Sequence, residues 1–351
     1  MLLLTTIWYR LIDIIGSPKI FNTLFSELDF IPIDYDYFDF EGKNYAKVIG
    51  RNHSGKRICV IDDCDVFLWA ILKDKLSDKK INALQKKIEK ITVESKTRDV
   101  KVIKTEFHNK KYLGKDVKAI KIYVNNHKDL SKIAEKLDMK EIEKRREHDI
   151  NFTTRYIIEK GLLPLNWVKI NGENVTGDDF GGIGESLDVD LVIRAEKIEK
   201  IEKQKIFTPK IIAFDIETDE FEIGKGEILM ISLVGDGIKK VLSCKKCDNL
   251  PSYVECYNSE KEMLVAFAET IKEHSPDVIT GYFSDKFDLP YIKARADKHK
   301  IKLNIGLNGT GIKFSGGMNP RGKIDGIVHI DLLKFIETAY SQYLKSETLS
   351  L

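Results

Sequence analysis

The chain of 351 residues has no run of about 18 consecutive apolar residues, the length a membrane-spanning helix requires. Met1 to Ile15 is apolar, but Arg10 and Asp13 interrupt it, and it has neither a basic start nor a small-residue cleavage site. It reads as an amphipathic helix rather than a signal peptide. Cysteine is scarce. Five residues, an odd count without repeated spacing, exclude a disulfide framework and fit a reducing, intracellular setting. Cys244 and Cys247 form a lone Cys-x-x-Cys with Cys256 nearby and no fourth ligand in reach, so structural zinc is not expected. An excess of either charge is also lacking. The net charge of +2 excludes a global polyanion-binding surface and leaves only local patches. Internal repeats and long low-complexity tracts are absent.

What is present is ordinary globular material, 42% hydrophobic and 32% charged, enough at this length for about two or three domains. Residues 1–30 read as an amino-terminal extension and 31–165 as a first domain. Ile31–Phe40, Tyr45–Ile49 and Arg57–Ile61, separated by turn clusters at Glu41-Gly42-Lys43 and Asn52-His53-Ser54-Gly55, predict a small antiparallel meander. A strand over Val66–Leu72 follows, then Ile81, Leu84, Ile88 and Ile91 at helical spacing. Asp99–Phe107 and Val117–Val124 flank a turn at Tyr112-Leu113-Gly114. Leu130, Ile133, Ala134 and Leu137 predict a second helix, and another strand precedes Asn151. The order β-α-β-β-α-β is that of a ferredoxin-like or RNA-recognition-like unit. Between residues 96 and 121, nine Lys/Arg stand against three Asp/Glu, a basic excess that suits either a nucleic-acid groove or a solvated face. Residues 166–207, ending in the charged run Glu196–Lys205, read as a linker with connecting strands, and 208–351 as a second domain.

The second domain opens on Lys210-Ile-Ile-Ala-Phe-Asp-Ile-Glu-Thr218. Its apolar run after Pro209 predicts a strand buried on both faces. Asp215 and Glu217 are two residues apart, so both project from one face. Two adjacent carboxylates at the end of an apolar strand repel each other unless a cation joins them, and hard oxygen ligands suit Mg²⁺ or Mn²⁺. Taken alone, such a pair is more often a strand end with its acids in water. Ile228–Val234 and Lys239–Ser243 extend the sheet around Gly235-Asp236-Gly237. Ser259-Glu-Lys-Glu262 caps a helix carrying Met263, Leu264, Phe267 and Ile271 on one face. Asp277–Gly281 is a further strand, and Asp288-Leu-Pro290 opens a helix to about Lys300. These elements would supply a ribonuclease-H-like sheet. Asp288 is then either a helix cap or a third carboxylate returning beside Asp215 and Glu217. Three acids there would hold two metal ions for in-line attack of water on a phosphodiester.

Phe214-Asp-Ile-Glu-Thr218 resembles the first exonuclease motif of family B DNA polymerases in their archaeal form. Tyr282-Phe-Ser-Asp-Lys-Phe-Asp-Leu-Pro-Tyr-Ile292 resembles the second, whose usual form is Tyr-Asn-x-x-x-Phe-Asp. Glu227–Ser232, Ser259–Met263, Lys111–Gly114 and Asp149–Gly161 are also similar to that family, and the resemblance runs from about Asp34 to the last residue. It implies an α/β (α+β) chain. An amino-terminal β-meander with a ferredoxin-like, template-binding unit would precede a ribonuclease-H-like 3′–5′ proofreading exonuclease domain.

By the same resemblance, Asp215, Glu217 and Asp288 are catalytic ligands of a two-metal Mg²⁺ or Mn²⁺ site. Thr218, Tyr282, Phe283, Lys111 and Arg155 are DNA contacts. Phe283 replaces the second motif's Asn and removes a polar group beside the substrate strand. The third motif, Tyr-x-x-x-Asp, is not in this sequence, and neither is the polymerase module. The expectation is therefore an incomplete site, feeble alone, that acts on template and primer 3′ ends. Its partner would be a carboxyl-terminal polymerase fragment, with a sliding clamp reached through it. The setting would be the cytoplasm, with the nucleoid and not the membrane. Archaeal members recognise template uracil in a pocket whose matching positions here are Tyr37, Val66, Phe67, Ala119, Asn151, Phe152 and Arg155. Val66 and Asn151 replace two prolines that shape it. Two other readings fit the residues: a non-catalytic DNA-binding or regulatory module derived from the polymerase, and a free-standing exonuclease.

Overall fold

The computed structural model describes residues 25–94, 100–202, 205–245, 249–316 and 320–340. The helix expected in Met1–Ile15, part of the basic run (residues 96–99) and Cys247 lie outside them. Strands β1 (Phe25–Phe40), β2 (Lys43–Asn52) and β3 (Arg57–Asp63) form the antiparallel meander. Next come β4 (Val66–Leu72), α1 (Asp78–Ile88), β5 (Thr92–Val93), β6 (Val100–Tyr112), β7 (Lys115–Val124), α2 (Leu130–Lys136) and β8 (Ile142–Arg146). They are followed by α3 (Phe152–Glu159), β9 (Val168–Asn174), α4 (Ile183–Ser186) and β10 (Leu191–Lys200).

The meander does not stand alone. β1, β2, β3, β10 and β9 close into a barrel. β1 starts at Phe25, ahead of residue 31, and the connecting strands expected within residues 166–207 are β9 and β10, two walls of the barrel. Val168, Ile170, Ile193 and Ala195 pack into the same core as Val48, Ile58 and Val60, and closure removes the edges a three-stranded meander would expose.

The middle segment forms a sheet in the order β5-β6-β7-β4-β8, antiparallel throughout, with the ferredoxin-like connectivity expected. Helices α1 and α2 cover one of its faces, where Ile81, Leu84, Ile88 and Ile133 meet Leu68, Ile120 and Ile122.

The second unit comprises β11 (Ile211–Thr218), β12 (Ile228–Gly235), β13 (Ile238–Ser243), β14 (Val254–Cys256), α5 (Glu260–His274), β15 (Val278–Gly281) and α6 (Asp288–Lys298). A hairpin of β16 (Lys313–Phe314) and β17 (Gly322–Lys323) leads to β18 (Val328–Asp331) and α7 (Leu332–Ala339). The sheet order is β14-β13-β12-β11-β15-β18. β11, β12 and β13 are antiparallel, while β15 and β18 run parallel to β11, the ribonuclease-H-like arrangement. The Ser259 side chain accepts from the Glu262 N–H and starts α5 as its sequence predicts.

β11 is not buried on both faces. Ile212, Phe214 and Ile216 face the core of α5 and α6, whereas Ile211, Ala213, Asp215 and Glu217 are exposed. The strand is half-buried with period 2, and its apolar residues on the outer face obscured that alternation in the sequence.

Barrel and second unit meet through buried charges. Arg51 donates to Asp277 at 2.6 Å and to the Ser275 carbonyl at 2.7 Å, and Arg57 donates to the Pro276 carbonyl at 2.7 Å. Lys47 pairs with Asp325 at 2.8 Å. Burial, then the neighbouring Arg51, pushes Arg57 down to about 10. Among the described residues, no helix is long and apolar enough to cross a membrane.

Candidate active site

Asp215 and Glu217 lie toward the carboxyl end of β11, opposite Ser232 and Met230 of β12. On the other side β15 runs parallel and pairs through Ala213 and Thr280. The chain leaves β15 at Gly281, where a Cβ would lie 3.1 Å from the Phe214 carbonyl oxygen and 2.8 Å from Ser284 Cβ. Only glycine lets the following loop come this close to β11.

That loop brings Asp288 into the site. Phe287 holds the N-cap position of α6 without a side-chain bond, and Asp288 is the first helical residue, so the capping role does not apply. Its carboxyl, 2% exposed, faces Asp215 and the backbone N–H of Ile216 instead. Burial pushes Asp288 up to about 7, and the charges of Asp215 and, more weakly, Asp331 add to the effect. Asp215, though exposed, is also raised, by partial desolvation against the sheet and the neighbouring loop.

Among the described residues, neither carboxylate has an ion-pair partner. Nor do any three His, Cys, Asp or Glu side chains converge closely enough to hold a metal ion. The fold therefore brings Asp215 and Asp288 together and leaves Glu217 about 6.6 Å further along the same strand face. Two unpaired, mutually repelling carboxylates, one of them buried, are a donor set suited to a hard divalent cation.

Asp331, in the family-like segment His329-Ile-Asp331-Leu, is not among the residues the motifs assign to the site. It ends β18 beside Gly281, and its carboxylate accepts from Phe283 N–H and Asp285 N–H at 3.0 Å each. It also accepts from Leu333 N–H at 3.0 Å, which makes it the N-cap of α7. A helical stripe after Asp331 was the available sequence signal. Beneath the loop, Ser284 Oγ lies 2.9 Å from His329 Nε2, and His329 Nδ1 lies 3.3 Å from Asp285. Ser284 is wholly buried, so the trio clamps the loop and offers no substrate a nucleophile.

The expected DNA contacts divide. Phe283 is 39% exposed and sits at φ +60°, with Lys286 over its ring. Lys111 is exposed on the β6–β7 hairpin. Thr218 donates to the Glu220 carbonyl at 3.0 Å, and Tyr282 is half-buried. Arg155 does not present itself to a phosphate. It is buried, its guanidinium 4.0 Å from the Phe67 ring centre and bonded to the Glu147 carbonyl at 2.6 Å. The uracil-pocket positions do cluster, with Tyr37 and Phe152 ring centres 5.2 Å apart. However, Val66, Phe67, Ala119 and Phe152 are all buried, and Lys121 caps Phe67 at 3.7 Å. Asn151 caps α3, accepting from Thr153 N–H. Cys244 and Cys256 donate to backbone carbonyls.

The second unit is thus a ribonuclease-H-like sheet with Asp215 on its first strand and Asp288 at the start of the second helix that follows, α6. Residues 143–350 match the family described as DNA polymerase family B, exonuclease domain. The chain belongs to that family. It is 32% identical over 309 residues to a DNA polymerase of Pyrococcus glycovorans and 30% identical over 309 residues to one of Thermococcus gorgonarius. Each match covers 87% of this chain and 34% of the relative, so the chain spans about a third of their length. Its fold is similar to the family B DNA polymerase structure from the hyperthermophilic archaeon Pyrobaculum calidifontis, with TM-score 0.69 and 18% identity, covering 92% of this chain and 41% of that one.

Proposed function

We propose that the chain serves as the amino-terminal and exonuclease portion of a family B DNA-directed DNA polymerase. It binds template and frayed primer 3′ ends and contributes a 3′–5′ proofreading site. The observation that carries this reading is the Asp215–Asp288 pair, a strand carboxylate facing one at a helix start, neither with a cationic partner among the described residues, inside the segment that matches the family's exonuclease domain. Asp215 and Asp288 would hold Mg²⁺ or Mn²⁺, and Glu217, further along the same strand face, would have to move toward them to join as a third ligand. Such ions, when bound, would activate the attacking water and stabilise the charge that develops on the departing 3′ oxygen. The chain's own residues do the rest. Asp331 fixes the 282–287 loop, and Asp288 gives up its proton as the pH approaches about 7, making the site anionic. The Phe283 ring and Tyr282 border the path of a nucleotide end.

Residues 31–165 act as the template-binding domain, with the barrel strands of 166–207 tying it to the exonuclease unit from 208 onward. Polymerisation, any sliding-clamp contact and a further ligand for full exonuclease activity would come from a carboxyl-terminal partner or remainder. The test is release of nucleotides from a 3′-labelled single strand in Mn²⁺. Weak cleavage alone, strong cleavage with a carboxyl-terminal polymerase fragment added, and loss of both in Asp215→Ala are expected. Strong cleavage that survives Asp215→Ala would overturn the reading.

A second reading, a non-catalytic DNA-binding module, draws support from Phe283 and from the separation of Glu217 from the other two acids. It predicts DNA binding without any specific Mn²⁺ site.

A further inference from the structure

The ferredoxin-like sheet has a second face, away from α1 and α2, that the exonuclease reading does not use. Thr105 turns toward α1 and accepts from Gln85 at 3.1 Å, so the alternate residues of β6, Lys104, Glu106, His108 and Lys110, look the other way. The register continues across the strands: Trp69 of β4 stands opposite Lys121 of β7 and Arg146 of β8.

Rings and cations interleave over this face. Lys110 lies 4.9 Å and Lys121 5.9 Å from the Trp69 ring centre, and the His108 ring meets Trp69 edge-on at 5.4 Å. At the hairpin end, Lys144 and Arg146 each lie 5.3 Å from the Tyr112 ring centre. The one acid facing them from β6, Glu106, is held by Lys104 at 2.8 Å and by the Tyr123 hydroxyl at 2.8 Å. Lys110, Lys121 and Arg146 have no carboxylate within ion-pair distance among the described residues. Trp69 and Lys121 are half-buried, and Lys110 and Arg146 are exposed.

We propose that this face binds single-stranded DNA, with a base stacked on Trp69, a second on Tyr112, and the backbone phosphates taken by Lys110, Lys121 and Arg146. Every base offers a π-face, so stacking demands no sequence, and ammonium and guanidinium groups without a carboxylate partner beside the rings match a phosphate path, although Arg146 also donates to the Tyr112 hydroxyl at 2.9 Å. A duplex hides its base faces and cannot use the rings. The site rests on the DNA-binding reading above and adds where a strand lies. The buried Phe67–Arg155 contact marks its inner end.

The test is anisotropy of a labelled oligo(dT) of about 12 nucleotides on the full chain, with fold checked by circular dichroism. Trp69→Ala is expected to weaken binding by ~10-fold, the size of one lost stack, while Trp69→Phe stays near the parent. Lys110→Ala with Lys121→Ala should flatten the dependence of log affinity on log salt by about 1.4, two phosphate contacts on a single strand. Parent-like binding and salt slope in both Trp69→Ala and the lysine pair would overturn the proposal, as would tighter binding of duplex than of single strand. Mn²⁺ binding at Asp215 and Asp288 should be unchanged in Trp69→Ala. Failure here would then leave the metal-site reading standing, whereas loss of Mn²⁺ binding from the parent chain would strike that reading alone.

Discussion

Asp288 carries a conflict at the level of a single side chain. Its folded-state value of about 7 exceeds the ordinary aspartate value of 3.8, so between these limits the folded chain holds a proton that the unfolded chain has lost. Its contribution to stability is therefore complete below about pH 4 and declines as pH rises to about 7. Asp288→Asn should remove this decline. At pH 8 the variant should be more stable than the parent by an amount on the order of 2 kcal/mol, with little difference at pH 4, measured by urea unfolding. Phe283 holds a second conflict. Its φ of +60° lies in the left-handed region, which a bulky residue enters at a cost of about 1–2 kcal/mol and Asn enters more easily. Phe283→Asn should raise the urea midpoint by about 1 kcal/mol equivalent, whereas unchanged or lower stability would show that ring contacts outweigh backbone strain. The sequence showed which residues were acids and where Phe replaced Asn. It could not show that Asp288 is buried and facing Asp215, because that follows from a contact between a strand and a loop some 70 residues apart in sequence.

At the level of elements, the site depends on three chain ends meeting: the end of β11, the loop between β15 and α6, and the β18–α7 junction. The first two were legible, through an apolar run and a motif. The third was not. β18 is four residues long, too short to offer a periodic signal strong enough to fix a sheet edge. Asp331 nevertheless holds the loop by two backbone N–H groups and caps α7 by a third. Asp331→Ala should cost on the order of 2 kcal/mol through the lost cap and the unsatisfied N–H groups of the loop. It should also weaken Mn²⁺ binding by loosening Asp288, although Asp331 need not touch the ion. If its Mn²⁺ affinity equals the parent's, the loop does not need this anchor. The barrel was half legible for a related reason. Val168–Asn174 and Leu191–Lys200 each mix polar residues into the strand pattern, and β10 carries charged residues through Lys200, which read as a connector when its barrel neighbours were not known.

Over the whole molecule, buried charges join the two units alongside the apolar contact of Leu307 with the barrel. Asp277 accepts from Arg51 on β2 and, with its other oxygen, from the backbone N–H of Lys210, just ahead of β11. The barrel thus grips the base of the strand that carries Asp215. Removing one partner leaves a buried guanidinium without its carboxylate, so Asp277→Ala should cost on the order of 3 kcal/mol. Calorimetry should show the barrel and the exonuclease unit beginning to unfold separately. A single sharp transition at the parent's temperature would mean that the apolar contacts of Leu307 with the barrel's outer core suffice.

The account stands most directly on the claim that Asp215 and Asp288 form a divalent-cation site. Mn²⁺ binding followed by electron paramagnetic resonance at pH 6 and pH 8 tests it. The parent should bind Mn²⁺ more tightly at pH 8 than at pH 6, because below about pH 7 the ion competes with the proton on Asp288. Asp215→Ala and Asp288→Asn should each lose the site at both pH values. Equal Mn²⁺ binding by the parent and both variants would contradict the claim.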